Sequence, residues 1–168
     1  MASTTSPDAP APVRADSRFM RQRLSRLIAF GFGSGLSPWA PGTVGTLWAW
    51  LAFVVFDRWL GPPAWAVLIA AGAAVGVWAC GKTARDLGVP DHGSIVWDEI
   101  VAFWLVLLFV PATAAAQFAA FVLFRFFDIV KPPPIRHFDA KLKNGFGVMF
   151  DDLLAALYTL LLVALWQR

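Results

Sequence analysis

Four apolar tracts separated by charged loops leave this chain few folds to choose from. They run over residues 43–56, 63–80, 100–127 and 153–166, the third interrupted by Pro111. All but the third are shorter than the roughly 20 residues that carry a helix across a bilayer. Their abundance nevertheless sets the class: 58% of the 168 residues are hydrophobic, with nine Trp, fifteen Phe and a mean hydropathy of +0.63, well above the usual soluble domain. The pattern predicts an all-α, multi-pass membrane bundle with about five short crossings, the third tract folding as a hairpin that turns over residues 111–117. A soluble bundle of buried helices is the competing reading of tracts this short.

Residues 1–17 are rich in Ala, Pro, Ser, Thr and Asp, a composition that buries too little surface to offset its ordering entropy. They are expected to form a disordered tail, leaving 18–168 as one membrane domain. The tail lacks the apolar core of a secretory leader. Cys80 is the sole cysteine, which removes an intrachain disulfide and argues against a cysteine-based zinc site.

Charge sets a topology. With the N-terminus in the cytoplasm and five crossings, twelve of the 14 Lys and Arg fall on the internal side and only Arg58 and Arg168 fall outside, as the positive-inside rule requires. The acids follow: Asp86, Asp91, Asp98, Glu99, Asp128, Asp139, Asp151 and Asp152 share that side, and Asp57 faces out. Asp98 and Glu99 lead into the third crossing, Asp128 ends the fourth, and Asp151 and Asp152 begin the fifth. Three helix ends therefore deliver carboxylates to one level, where they repel unless a cation sits between them. Oxygen-only ligation suits a hard ion, Mg2+ above all. Each acidic pair taken alone also fits a plainer account, because an acid at a helix N-terminus gains about 0.3–1 kcal/mol from the macrodipole. Asp128, near a helix C-terminus, does not fit it; Arg125 and Lys131, each three residues away, could instead neutralise it in a structural ion cluster.

Two internal loops carry the remaining chemistry. In GFGSGLSPWAPGTVGT (31–46) the glycines and prolines are expected to forbid a regular helix and leave amides free to wrap an anion, with Ser34, Gly42, Thr43 and Gly45 as phosphate contacts. The alternative is a re-entrant or helix-packing segment. In the second loop, Pro132, Pro133 and Pro134 are expected to stiffen an extended stretch between Lys131 and Arg136. Those cations could clamp a phosphate or merely attract anionic lipid heads. His92 is a candidate proton carrier, with a satisfied structural histidine as the alternative.

One motif is rejected. GVWACGKT (76–83) matches G-x-x-x-x-G-K-T/S, but a P-loop needs a preceding strand and a small-residue loop that bares its amides. Here the match ends an apolar helix, so Gly72 and Gly76 read as a helix-packing pair and Lys82 as a snorkelling charge. No nucleotide or nucleic-acid partner is expected.

At GSGLSPWAPGTVG (33–45), DHGSIVWDE (91–99), FRFFDIVKPPPIR (124–136) and GFGVMFDD (145–152) the sequence resembles the phosphatidylglycerophosphatase A family, over nearly everything after the tail. Departures are slight: Asn144 and Ala156 stand where glycine is usual, and Thr46 where serine is. The resemblance implies a Mg2+-dependent phosphomonoesterase of the bacterial inner membrane, with a membrane phospholipid as substrate and its site facing the cytoplasm. It would convert phosphatidylglycerophosphate and water to phosphatidylglycerol and phosphate.

On this reading Asp98, Glu99, Asp128, Asp151 and Asp152 supply the metal ligands directly or through water, while Lys131 and Arg136 steady the phosphoryl group. Adjacent helical residues point about 100 degrees apart, so in each acidic pair one member is expected to face the metal and the other a water, base or cation. Direct attack by water and an aspartyl-phosphate intermediate both stay open, as does the oligomeric state. A small transporter would spread its acids through the crossing depth, and a non-catalytic assembly subunit would need only the packing glycines and Trp surface. Acids gathered at one end favour an interfacial enzyme.

Overall fold

The computed structural model describes residues 13–90, 92–142 and 144–166. The first twelve residues of the expected tail, Asp91, Lys143 and Arg168 lie outside the described residues, as does the side chain of Asp139. Within them the chain is helical, with no strand. Two short helices, α1 (Ser17–Arg21) and α2 (Leu24–Ala29), lead through a 3-10 segment, Gly31–Leu36, into α3 (Pro41–Phe56) and α4 (Pro62–Leu87). Then come α5 (Trp97–Phe109), α6 (Ala114–Val130), α7 (Ile135–Lys141) and α8 (Gly145–Trp166).

The helix boundaries follow from local chemistry. Pro41 opens α3 and Pro62 opens α4, each at a position whose N–H has no partner in any helix. Gly88, at φ +71°, closes α4: its amide and that of Val89 reach back to the last carbonyls, a left-handed cap that costs glycine nothing. Thr113 caps α6 by accepting from the Ala116 amide at 3.3 Å, and Asn144 Oδ1 accepts from the Gly147 amide at 2.9 Å in the first turn of α8. The Asn144 departure from the family pattern is thus an N-cap.

At the centre is α5, buried along most of its length and packed against α3, α4, α6 and α8. Small residues set the approach of its neighbours. A Cβ on Gly76 would meet Met149 and Trp97, one on Gly72 would stand 3.2 Å from Val101, and Gly81 and Gly145 cross with α-carbons against each other. The expected packing role of Gly72 and Gly76 holds. The P-loop lookalike at 76–83 lies within the continuous helix α4, where its amides belong to the helical ladder. In the last turn of α4, Asp86 is held by Arg26 of α2 through both Nε and Nη2 at 3.0 Å, and the guanidinium stacks over Phe19 at 3.7 Å, which ties the N-terminal helices to the bundle.

Two helices, α4 with 26 residues and α8 with 22, are long and apolar enough to cross a membrane, and α3 is a shorter apolar helix. Leu51, Phe56, Val67, Phe118, Val122 and Leu161 are exposed on the outer faces of α3, α4, α6 and α8, the reverse of what water tolerates over so broad a surface. The inward-facing indoles find partners inside the bundle, as lipid demands: the indole N–H of Trp97 donates to the Gly72 carbonyl and that of Trp104 to the Ala49 carbonyl, both at 2.9 Å. Trp50 donates to Gln117 at 2.7 Å and Trp65 to Asp57 at 3.0 Å. Among the described residues the fold is all-α, with two candidate membrane spans.

Three local expectations need correction. Gly42, Thr43, Gly45 and Thr46 lie in the opening turns of α3, because Pro41 suits a first turn better than it breaks one. Pro132 to Pro134 form a turn that starts α7 and do not extend the chain. And α8 starts at Gly145, so Asp151 and Asp152 stand well inside the helix and do not begin it.

Candidate active site

Three helices carry the acids to one place. Asp98 and Glu99 occupy the first turn of α5; Asp128 lies in the last turn of α6, and Asp151 and Asp152 face inward from α8, buried at 5% and 2% exposure. With Lys131 they line one cavity of about 210 Å3, closed on its apolar side by Ile95, Ile129 and Val148. The offset of α8 decides between the two readings of its acidic pair. The macrodipole fades beyond the first turn, and that turn of α8 holds no acid, so helix-end electrostatics do not account for Asp151 and Asp152.

Two cations interleave with the five acids. Arg125 Nη1 stands 2.7 Å from Glu99 Oε2 and 2.7 Å from Asp128 Oδ2, bridging α5 and α6. Thr46 completes this knot from α3: its hydroxyl lies 2.9 Å from the Gly42 carbonyl, 3.3 Å from Glu99 Oε2 and 3.4 Å from Arg125 Nη1. Lys131 caps α6 in the left-handed conformation, φ +46°, a helix-ending geometry. From there its ammonium bonds to Asp151 Oδ2 on α8.

Among the described residues, no three carboxylate, imidazole or thiol side chains converge tightly enough as they stand to grip one metal ion. The cations take up part of that role. The donor set still fits a hard divalent ion in kind, being all oxygen, and Asp152 Oδ2 is buried with no hydrogen-bond partner among the described residues. Such an atom is costly unless a ligand meets it.

The other predicted residues lie elsewhere. Ser34 donates its hydroxyl to the Gly31 carbonyl at 2.9 Å. Gly42 packs on the Glu99 carboxylate and Gly45 on Val96, each where a side chain would collide, so both serve the approach of α3 to α5. Thr43 is half-buried in α3 beside them. His92 accepts from the Ser94 amide through Nδ1 at 3.1 Å, the satisfied structural role. Arg136 is exposed on α7. None of these six borders the acid cavity.

The family model described as phosphatidylglycerophosphatase A matches residues 27–167. The chain belongs to the phosphatidylglycerophosphatase A family. Among its relatives, the phosphatidylglycerophosphatase A of Haemophilus influenzae is 50% identical over 138 residues, covering 82% of this chain and 85% of that protein. That of Escherichia coli is 44% identical over 142 residues, 84% and 82% of the two chains. A protein of Bacteroides thetaiotaomicron named as a putative phosphatidylinositol-3-phosphatase is 42% identical over 147 residues, 82% and 90%. No solved structure matches significantly.

Within this chain, sequence reasoning overlooked two members of the site. Arg125 was legible only as the neighbour of Asp128, because i,i+3 spacing signals a pair on one helix and says nothing of Glu99 on another. Thr46 was visible as a hydroxyl where the family has another hydroxyl, a hint that the oxygen matters, but its partners needed the α3 to α5 packing.

Proposed function

We infer that the chain hydrolyses phosphatidylglycerophosphate to phosphatidylglycerol and inorganic phosphate at the acid cavity between α5, α6 and α8. The carrying observation is the convergence of Asp98, Glu99, Asp128, Asp151, Asp152 and Lys131 on one small cavity in a bundle with an apolar outer face, in a member of this family. The Bacteroides relative's name concerns a different phospholipid headgroup; a phosphate monoester on a lipid is common to both.

In the reaction, water adds its oxygen to phosphorus, the bond from phosphorus to the glycerol oxygen breaks, and a proton goes to that oxygen. Lys131 supplies positive charge at the cavity wall to steady the phosphoryl oxygens. Asp152 Oδ2, unengaged among the described residues, is placed to hold water or accept its proton. Glu99 and Asp128, tied to Arg125, keep the opposite wall in position. Asp98, Asp128 and Asp152 would hold Mg2+, with Asp151 and Glu99 joining them directly or through water. The chemistry that Mg2+ supplies when bound is neutralisation of phosphate charge and activation of water.

The membrane placement belongs to the same proposal. The chain sits in the bacterial inner membrane with about five crossings, α3, α4, α5, α6 and α8, and its acid cavity toward the cytoplasm. Charge asymmetry supports this orientation. The test is phosphate release from phosphatidylglycerophosphate by purified protein in mixed micelles, first with Mg2+ and then with EDTA. Release that EDTA stops and Mg2+ restores is the expected result; equal rates in both would remove the metal from the mechanism.

A further inference from the structure

Most glycines of this chain have a visible reason to be glycine: a left-handed φ, as at Gly31, Gly33 and Gly88, or a neighbour that a Cβ would strike, as at Gly35, Gly42, Gly76 and Gly145. Gly93 has neither. Its φ lies outside the left-handed range, a Cβ there would meet nothing within 4 Å among the described residues, and the residue is exposed in the turn closed by the Ile95 amide on the His92 carbonyl at 2.7 Å. Yet Gly93 borders the acid cavity together with Asp98, Asp128 and Asp152. The fold does not need the missing side chain, so the space it leaves is available to whatever enters the cavity.

We propose that Gly93 is a specificity-determining position, whose bare backbone leaves the cavity mouth wide enough for the headgroup beyond the scissile phosphate. The inference rests on the reaction proposed above. In that substrate the reacting phosphate hangs on a glycerol that a second phosphate joins to the lipid, so once the terminal phosphate is among the acids, the glycerol and its phosphodiester must pass the mouth. Of the residues bordering the cavity, Ile95 and Val148 are buried apolar walls, whereas Gly93 and Ile129 are exposed, so the cavity opens on their side. A side chain added at Gly93 meets substrate before it meets protein.

The experiment is a size series, Gly93→Ala, Gly93→Val and Gly93→Leu, assayed on phosphatidylglycerophosphate in mixed micelles beside the unaltered chain, with a melting temperature for each. The expected result is a graded fall in kcat/KM, reaching about tenfold or more at Leu, as single-group changes in a substrate pocket produce. KM should rise more than kcat drops, with melting temperatures unchanged. A flat series through Leu overturns the proposal, and so does a loss that follows the melting temperature, which would make Gly93 a structural residue. Absence of turnover by the unaltered chain would instead overturn the reaction, a separate and earlier failure.

Discussion

Arg125 Nη1 stands 2.7 Å from Glu99 Oε2, joining the last turns of α6 to the first turn of α5. The same nitrogen serves Asp128 at an equal distance, and all three side chains are largely withdrawn from solvent, at 11–14% exposure. Removing one partner from such a group leaves uncompensated buried charge, which costs about 3–5 kcal/mol.

Arg125→Gln should therefore lower the melting temperature and strip most of the activity. Arg125→Lys, which keeps the charge but can satisfy fewer acceptors at once, should fall between. Thermal denaturation in detergent beside phosphate release checks both, and a Gln variant as stable as the parent would show the bridge to be incidental.

Asp152→Asn should behave in the opposite way toward stability. Its Oδ2 is buried among four other carboxylates with no hydrogen-bond partner among the described residues, so a neutral isostere relieves repulsion. Turnover should drop at least about 100-fold while the melting temperature holds or rises. Normal activity would exclude Asp152 from the chemistry.

Mg2+ binding has a readout independent of turnover. A ligand that binds only the folded state stabilises it by about 2.7 kcal/mol at a hundredfold excess over its Kd. Added Mg2+ should raise the melting temperature of the parent, and Asp98→Asn or Asp152→Asn should abolish that rise. An identical rise in the variants would place the ion elsewhere.

Glycine substitutions should rank by what lies opposite. At Gly145 an added Cβ meets the Val77 carbonyl, which cannot move aside; at Gly72 its tightest contact is a side-chain methyl, Val101 Cγ2 at 3.2 Å. Gly145→Ala should prevent stable folding, whereas Gly72→Ala should cost about 1–3 kcal/mol. Yield and melting temperature decide it, with Lys82→Ala as a control expected to leave catalysis unchanged.

The gathering of acids was legible because charge asymmetry orders crossings without any knowledge of packing, and Asp98, Glu99 and Asp128 need only that order to reach one level. What surrounds them was less so. The apolar tract from residue 153 makes Asp151 and Asp152 read as the start of the fifth crossing; the Asn144 cap and the Gly81 to Gly145 contact move the start of α8 back to Gly145. Gly42 and Gly45 look like an amide cradle in sequence and prove to be spacers for Glu99 and Val96. Arg136 follows three prolines that fold into a turn, which sends it out along α7. Spacing identifies residues within one helix; contacts between helices depend on crossings that spacing does not encode.

Because α8 starts at Gly145, Asp151 and Asp152 lie roughly 10 Å along its axis from that end at 1.5 Å per residue. With the helices placed across the bilayer as proposed, that point is level with the first turn of α5 and the last turn of α6, so hydrolysis would take place at the membrane boundary. Sugar phosphates and nucleotides have no hydrocarbon anchor to hold them there, so on that proposal the site would favour phosphate esters already moored in the membrane.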